Sequence, residues 1–119
     1  MITTYEEACA ILEIMPMNEH AMKFKGFKVR EIALKKLITI VYVINGGQIP
    51  SWGEIPTPKY HPMFIKDSFN PKDLLTFAGV KQSHVLIYIY PELLYTTEPL
   101  AEYAGKTFLR LYEQLYLNR

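Results

Sequence analysis

The sequence predicts an α+β fold in which about three helices pack on a small antiparallel sheet of about three strands. Residues 26–47 and 97–117 each carry apolar side chains every three or four positions, which is the period of a helix with one buried face. Residues 83–90 are β-branched and aromatic, as in a strand. With 119 residues, half of them hydrophobic, we expect a single domain over residues 1–119.

The segment 26–47 is the predicted central helix. Its spacing of three and four runs through Val29, Ile32, Ala33, Lys36, Leu37, Ile40, Val41 and Ile44. Lys28, Glu31 and Lys35 lie on the opposite face, and Asn45-Gly46-Gly47 predicts a left-handed end to the helix. We expect the apolar side to be buried beneath the sheet and the final helix.

Two shorter patterns predict the other helices. Thr4 and Glu7 form a predicted capping box at the start of a short helix that contains Cys9 and ends by Pro16. Residues 17–25 are then expected to be a polar connector. Thr97-Glu98-Pro99 begins the final helix, in which Glu102 and Lys106 are spaced for an ion pair and Arg110 and Glu113 point outward. Its apolar stripe comprises Leu100, Tyr103, Ala104, Phe108, Leu111, Tyr112 and Leu115.

The region between the long helices predicts a loop followed by strands. Residues 48–62 contain four prolines, which exclude a helix and a central strand. Residues 63–66 and 74–80 are short strand candidates, and Gly79 weakens the second. Residues 83–90 are the clearest strand.

No arrangement of residues in the sequence points to catalysis or to a metal site. His20, His61 and His84 are scattered without ligand spacing, and the carboxylates occur singly. Cys9 is the one cysteine and lies on an apolar helix face, where we expect it in the core. The sequence therefore predicts no catalytic residue, no metal and no cofactor.

The segment from Trp52 to Phe64 is the clearest candidate binding region. Tryptophan and tyrosine are favoured at recognition surfaces because they combine a large apolar area with a polar group. The candidate contacts are Trp52, Tyr60, His61 and Phe64. The alternative is that these rings simply anchor the loop to the core.

A second candidate is the basic segment 23–36, with Lys23, Lys25, Lys28 and Arg30 around two phenylalanines. It would bind a phosphate backbone or another anion, or be a solvated helix face. Thirteen basic against twelve acidic residues make the chain nearly neutral, which favours the solvated face. The apolar end of the last helix, with Tyr112 and Tyr116, is a candidate self-association patch.

Four motifs together resemble an uncharacterised family of small proteins from phages and prophages of gut Bacteroidota. They are TYEEACAIL at 4–12, KLITIVYVINGGQIPSW at 36–52, PKYHPMF at 58–64 and LAEYAGKTFLRLYEQL at 100–115. The resemblance implies a phage-associated protein, with no assigned activity or catalytic residue. The chain departs from that pattern at His61 and Met63, and in the apolar segment 83–94.

From these observations we expect a non-enzymatic phage or prophage accessory protein that binds a host or phage partner and forms a homo-oligomer. A nucleic-acid-binding protein that uses segment 23–36 is the first alternative, and a small-molecule (nucleotide) binding protein is the second. The N-terminus lacks the pattern of a signal peptide, and lysines interrupt the longest apolar segment. We therefore expect no membrane association and a location in the host cytoplasm.

Overall fold

The computed structural model describes residues 1–48, 59–66, 74–83 and 91–119. In these ranges the chain forms five α-helices, one 3₁₀ turn and a two-stranded antiparallel sheet. The elements are α1 (Tyr5–Leu12), α2 (Glu19–Phe24), α3 (Val29–Ile44), β1 (Lys59–Lys66), β2 (Leu75–Ser83), the 3₁₀ turn (Pro91–Leu93), α4 (Glu98–Thr107) and α5 (Leu109–Leu117).

The α+β class is confirmed, but its predicted element counts are not. The described residues hold five helices where about three are expected, and two strands where about three are expected. Of the predicted strand 83–90, Ser83 forms the end of β2, and residues 84–90 lie outside the described ranges.

Helix α1 begins at the predicted cap. The Thr4 hydroxyl accepts a hydrogen bond from the Glu7 backbone N–H at 3.1 Å. The Glu7 carboxylate reaches back to the backbone N–H and hydroxyl of Thr3, at 3.2 and 2.8 Å, instead of to Thr4. The reciprocal part of the capping box is thus displaced by one residue. The helix ends at Leu12, where Glu13 adopts a left-handed conformation (φ 56°), so Pro16 does not terminate it.

The expectation of a connector at 17–25 is wrong, because these residues contain α2. Asn18 caps this helix by accepting the Ala21 backbone N–H at 3.0 Å. Six residues make fewer than two turns, so no helical period is visible in the sequence. Two contacts hold the segment on the domain: Glu19 forms an ion pair with Lys36, and the Met17 N–H donates to the Tyr5 hydroxyl at 3.2 Å.

The predicted central helix is confirmed as α3, together with its glycine terminus. The Gly46 N–H donates to the Val43 carbonyl at 3.0 Å, and the Gly47 N–H donates to the Tyr42 carbonyl at 2.8 Å. Both glycines have positive φ, at 70° and 82°, which a side chain would disfavour. This hydrogen-bond pair is the Schellman motif that closes a helix.

The expected burial of α3 is only half right. Among the described elements α3 packs mainly against α5, α1 and the 3₁₀ turn, while the strands pack against α4 and α5. The described strands are therefore not the main cover of α3, which packs most extensively against α5. The core includes Leu37, Ile40 and Val41 of α3 together with Cys9, so the prediction that Cys9 is buried is confirmed.

Strand β1 begins at Lys59, four residues before the predicted start. Pro62 lies inside it, opposite Val80 of β2. A proline interrupts the hydrogen bonding of a strand, which is tolerated at a sheet edge. The four prolines of segment 48–62 predict a loop, and this prediction is wrong for residues 59–62.

The expected weakness at Gly79 takes the form of a β-bulge. Met63 is opposite Gly79, yet Phe64 is opposite Phe77, so Ala78 is an extra residue in β2. Gly79 has φ of 120°, a conformation that glycine readily adopts. Beyond the bulge, β2 continues to Ser83.

The predicted final helix is divided at Phe108 into α4 and α5. Phe108 is buried and has φ −106° and ψ 27°, outside the regular helical range. The predicted features of α4 are confirmed: Thr97 accepts the Leu100 N–H at 3.4 Å, and Lys106 pairs with Glu102 at 2.9 Å. The break allows α4 to lie against both strands while α5 packs against α3.

Glu113 contradicts its predicted outward position. The side chain is buried, and its Oε2 accepts a hydrogen bond from the Leu75 backbone N–H at 3.2 Å. The reason is that α5 is covered on two sides, by α3 and by β2, so its polar face meets the start of β2. The carboxylate satisfies a donor at the first residue of that strand.

Candidate binding surface

The two-stranded sheet has one face against the helices and one face turned away from them. Pro62 and Phe64 of β1 point toward α4 and α5, whereas Met63 and Ile65 point to the other face. Met63 is 37% exposed and Ile65 is 61% exposed. Two large apolar side chains thus lie exposed on alternate positions of one strand.

Phe64 is the centre of a cluster of four rings that extends from the core to the surface. Its centroid lies 4.9 Å from that of Tyr112, 6.1 Å from that of Tyr116 and 6.2 Å from that of Phe77. Tyr112 is buried, whereas Tyr116 is 53% exposed and stacks on Tyr112. We call Phe64 and Tyr116, together with the exposed Met63 and Ile65 on the opposite face of β1, the aromatic edge.

The other predicted contacts of this region lie in different environments. Tyr60 is partly buried, and its backbone exchanges two hydrogen bonds with Tyr95, at 3.0 and 2.8 Å. It therefore fixes β1 against the segment that precedes α4. Trp52 lies outside the described residues.

His61 is on the opposite face of β1 from Tyr60, and its Cα is paired with that of Lys81. Burial lowers the pKa of the imidazole, a contact with the Pro62 carbonyl at 3.4 Å partly offsets this, and the charge of Lys81 lowers the pKa further. We therefore expect a neutral imidazole at pH 7, which is a hydrogen-bonding group without charge.

The structure brings Tyr60, His61 and Phe64 onto one strand but divides them between its two faces. Tyr60 and Phe64 contribute to packing against the core, and His61 faces away from it. The sequence predicts Tyr116 in a candidate self-association patch, whereas Met63 and Ile65 are not among the predicted contacts. The alternation of side chains in the predicted strand 63–66 is the signal that puts Met63 and Ile65 on one face.

The predicted basic segment divides into paired and exposed cations. Lys36 forms an ion pair with Glu19, and the Lys35 ammonium lies 5.5 Å from the Phe27 ring centroid. The four cations of the predicted patch are all exposed: Lys23, Lys25, Lys28 and Arg30. Phe24 lies between the first two and is 89% exposed.

Hydrogen bonds between buried polar groups support this scaffold. The hydroxyls of Tyr95 and Tyr112 are 2.8 Å apart in the core. Asn45, at the end of α3, donates from Nδ2 to the Leu94 carbonyl at 2.9 Å and accepts the Thr96 N–H at 3.1 Å. These bonds fix the segment that also pairs with Tyr60.

Within the described ranges, no group of three or more His, Cys, Asp and Glu side chains is placed to hold a metal ion. His20 lies on α2, apart from His61 on β1, and His84 is outside those ranges. None of the described helices is long and apolar enough to cross a membrane.

Comparisons with family models, with curated proteins and with solved structures find no match to this chain.

Proposed function

We propose that this protein acts by binding a macromolecular partner rather than by catalysis, and that the aromatic edge forms part of its contact surface. The observation that supports this most directly is the position of Tyr116, which is half exposed yet rests on the rings of Phe64 and Tyr112. An exposed ring held by one buried and one partly buried ring loses little conformational entropy on binding, as is typical of interface hot spots.

The first partner we propose is a second copy of this chain. Met63 and Ile65 are exposed on one face of β1, and the Tyr116 ring is exposed at the other face. A two-fold axis beside this strand would bring the same apolar and aromatic side chains of each copy together. The proposed role as a phage or prophage accessory protein rests on the four sequence motifs that resemble the phage family.

Sedimentation velocity over about 10 to 200 µM protein tests self-association, because a weak dimer forms only at the upper end. We expect the wild-type chain to associate and the double variant Ile65→Thr/Tyr116→Ser to remain monomeric. Both sites are exposed, so the fold should be retained. Met15→Ser is the matched control, since Met15 is 90% exposed and lies elsewhere.

A monomeric wild-type chain throughout this range would exclude the second copy as partner. Co-purification from infected or lysogenic cells would then test for a different protein. The aromatic edge is supported if a protein is recovered with the wild type and with Met15→Ser but lost with the double variant. Equal recovery by all three chains would contradict it.

The exposed ring of Phe24 among exposed cations favours one second candidate, which is binding of single-stranded nucleic acid. Bases stack on exposed rings while lysines contact the phosphates. Glu19 is engaged by Lys36, so this carboxylate does not neutralise the patch. The chain as a whole adds little long-range attraction, because its formal net charge is only +1.

Fluorescence anisotropy with labelled single-stranded DNA and RNA tests this candidate. Four phosphate contacts predict a slope of log K against log salt of about −3. Phe24→Ala should weaken binding and leave the slope unchanged, whereas Lys23→Gln/Lys25→Gln should reduce the slope. Lys106→Gln is the control, because this lysine is paired on α4. Binding without salt dependence would exclude the candidate.

A further inference from the structure

A cleft of about 190 Å³ opens between the end of α1, the second half of α3 and the 3₁₀ turn. Leu12, Ile38 and Tyr42 give it an apolar wall, and Thr39 lies on the same wall. A cavity of about 150 Å³ is sufficient for benzene in a protein interior. This cleft therefore has room for one aromatic ring with a short substituent.

Some of the described polar groups that line the cleft make hydrogen bonds within the protein, and others do not. The Asn45 amide is engaged at both ends, by the Leu94 carbonyl and the Thr96 N–H. The Thr39 hydroxyl donates to the Lys35 carbonyl at 3.4 Å. Within the described ranges, no hydrogen bond or ion pair occupies the Tyr42 hydroxyl, the Gln48 amide or the Glu92 carboxylate, and these three groups also line the cleft.

The charge of this lining selects the class of ligand. Among the described residues that line the cleft, Glu92 is the charged one, and none of them is a lysine or an arginine. A carboxylate repels phosphate and attracts an ammonium group. An anionic nucleotide, one of the ligands expected from the sequence, is therefore disfavoured here.

We propose that this cleft binds a small aryl-alkyl amine, with the ring against Ile38, Thr39 and Tyr42 and the ammonium group at Glu92. This inference is independent of the aromatic edge and of the basic patch, because it uses a separate surface. The ring supplies the apolar contact that a ligand pocket requires, and the carboxylate fixes its orientation.

Thermal unfolding and ¹H–¹⁵N NMR with 2-phenylethylamine test the proposal. A ligand at about ten times its Kd should raise Tm by about 3–6 °C for a domain of this size. The amide resonances of Thr39 and Tyr42 should shift with the ligand concentration. The matched probe 3-phenylpropanoate, which carries a carboxylate in place of the amine, should produce neither effect.

Two variants separate the ring contact from the charge. Thr39→Leu fills part of the cleft and should abolish binding of the amine. Glu92→Gln keeps the shape and should weaken binding about two- to fivefold, as expected for one exposed ion pair. Glu6→Gln is the control, because this exposed carboxylate lies at the other end of α1.

A ligand of this size should bind at about 10 mM. If 2-phenylethylamine at this concentration shifts neither Tm nor the Thr39 resonance, the proposal is overturned. Equal binding of 3-phenylpropanoate, or unchanged binding in Glu92→Gln, would overturn the assignment to an amine. Should Thr39→Leu fail to fold, Glu92→Gln still decides the question, because Glu92 is exposed and its change leaves the core intact.

Discussion

The hydroxyl oxygens of Tyr95 and Tyr112 lie 2.8 Å apart inside the core, where neither is in contact with solvent. Burial raises the pKa of both phenols well above the usual range, so both are neutral and one donates to the other. This bond joins the segment before α4 to α5.

We predict that Tyr95→Phe and Tyr112→Phe will each destabilise the protein by about 1–3 kcal/mol, because each leaves the other buried hydroxyl without its partner. The double variant should lose less than the sum of the two. Urea unfolding of all four chains completes the cycle, and Tyr42→Phe is the control for removal of an exposed hydroxyl. Additive losses would show that the two hydroxyls do not stabilise each other.

Gly105 sets the distance between α4 and the sheet. A Cβ at this position would lie 2.6 Å from the Pro62 Cβ and 2.9 Å from two ring carbons of Phe77. Alanine is the better helix former by about 1 kcal/mol. We nevertheless expect Gly105→Ala to destabilise the protein by about 1–3 kcal/mol, because the added methyl overpacks a buried contact.

Thermal and urea unfolding measure the Gly105→Ala effect, with Thr107→Ala as a control on an exposed position of the same helix. The control should stay within about 0.5 kcal/mol of the wild type. A stabilised Gly105→Ala protein would mean that helix propensity outweighs the contact with Pro62.

Asn45 links the end of α3 to residues 94–96, and this link needs both the donor and the acceptor of its amide. In Asn45→Asp, a carboxylate oxygen would replace Nδ2 opposite the Leu94 carbonyl, so two acceptors would meet. We expect a loss of about 2–4 kcal/mol at neutral pH, as for a buried unpaired charge. Gln48→Glu adds a charge at a nearby exposed site and should change the unfolding free energy little, which urea unfolding will measure.

His61 should titrate below its ordinary pKa, because burial and Lys81 both disfavour the imidazolium. Since the folded state holds this proton less tightly than the unfolded state, the contribution of His61 to stability is present above its unfolded pKa and is lost as the pH falls through the folded pKa. An NMR titration of the His61 ring protons measures the shift.

The substitution Lys81→Gln tests the charge contribution to that shift. It should raise the pKa of His61, because one repelling cation is removed, while Lys106→Gln on α4 should leave it unchanged. A His61 pKa at or above the ordinary histidine value in the wild-type chain would contradict the partly buried position of this ring.

The sequence alone determined the elements whose signals are local. Helix α3 has an apolar period and a glycine terminus. Thr4 and Thr97 are the N-caps of α1 and α4. Hydrogen bonds between near neighbours in the chain suffice to form these features. Lys106 and Glu102 pair for the same reason. The burial of Cys9 followed from its apolar helix face.

Only the tertiary structure decided which surfaces meet. The apolar stripe of 97–117 continues through Phe108, so its division into α4 and α5 depends on the two different surfaces that these helices cover. The sequence predicts that Glu113 is exposed to solvent, but in the structure β2 places the Leu75 N–H beside its carboxylate. The aromatic edge likewise joins Phe64 and Tyr116, which are far apart in the chain, because contacts between distant residues depend on packing that no local pattern encodes.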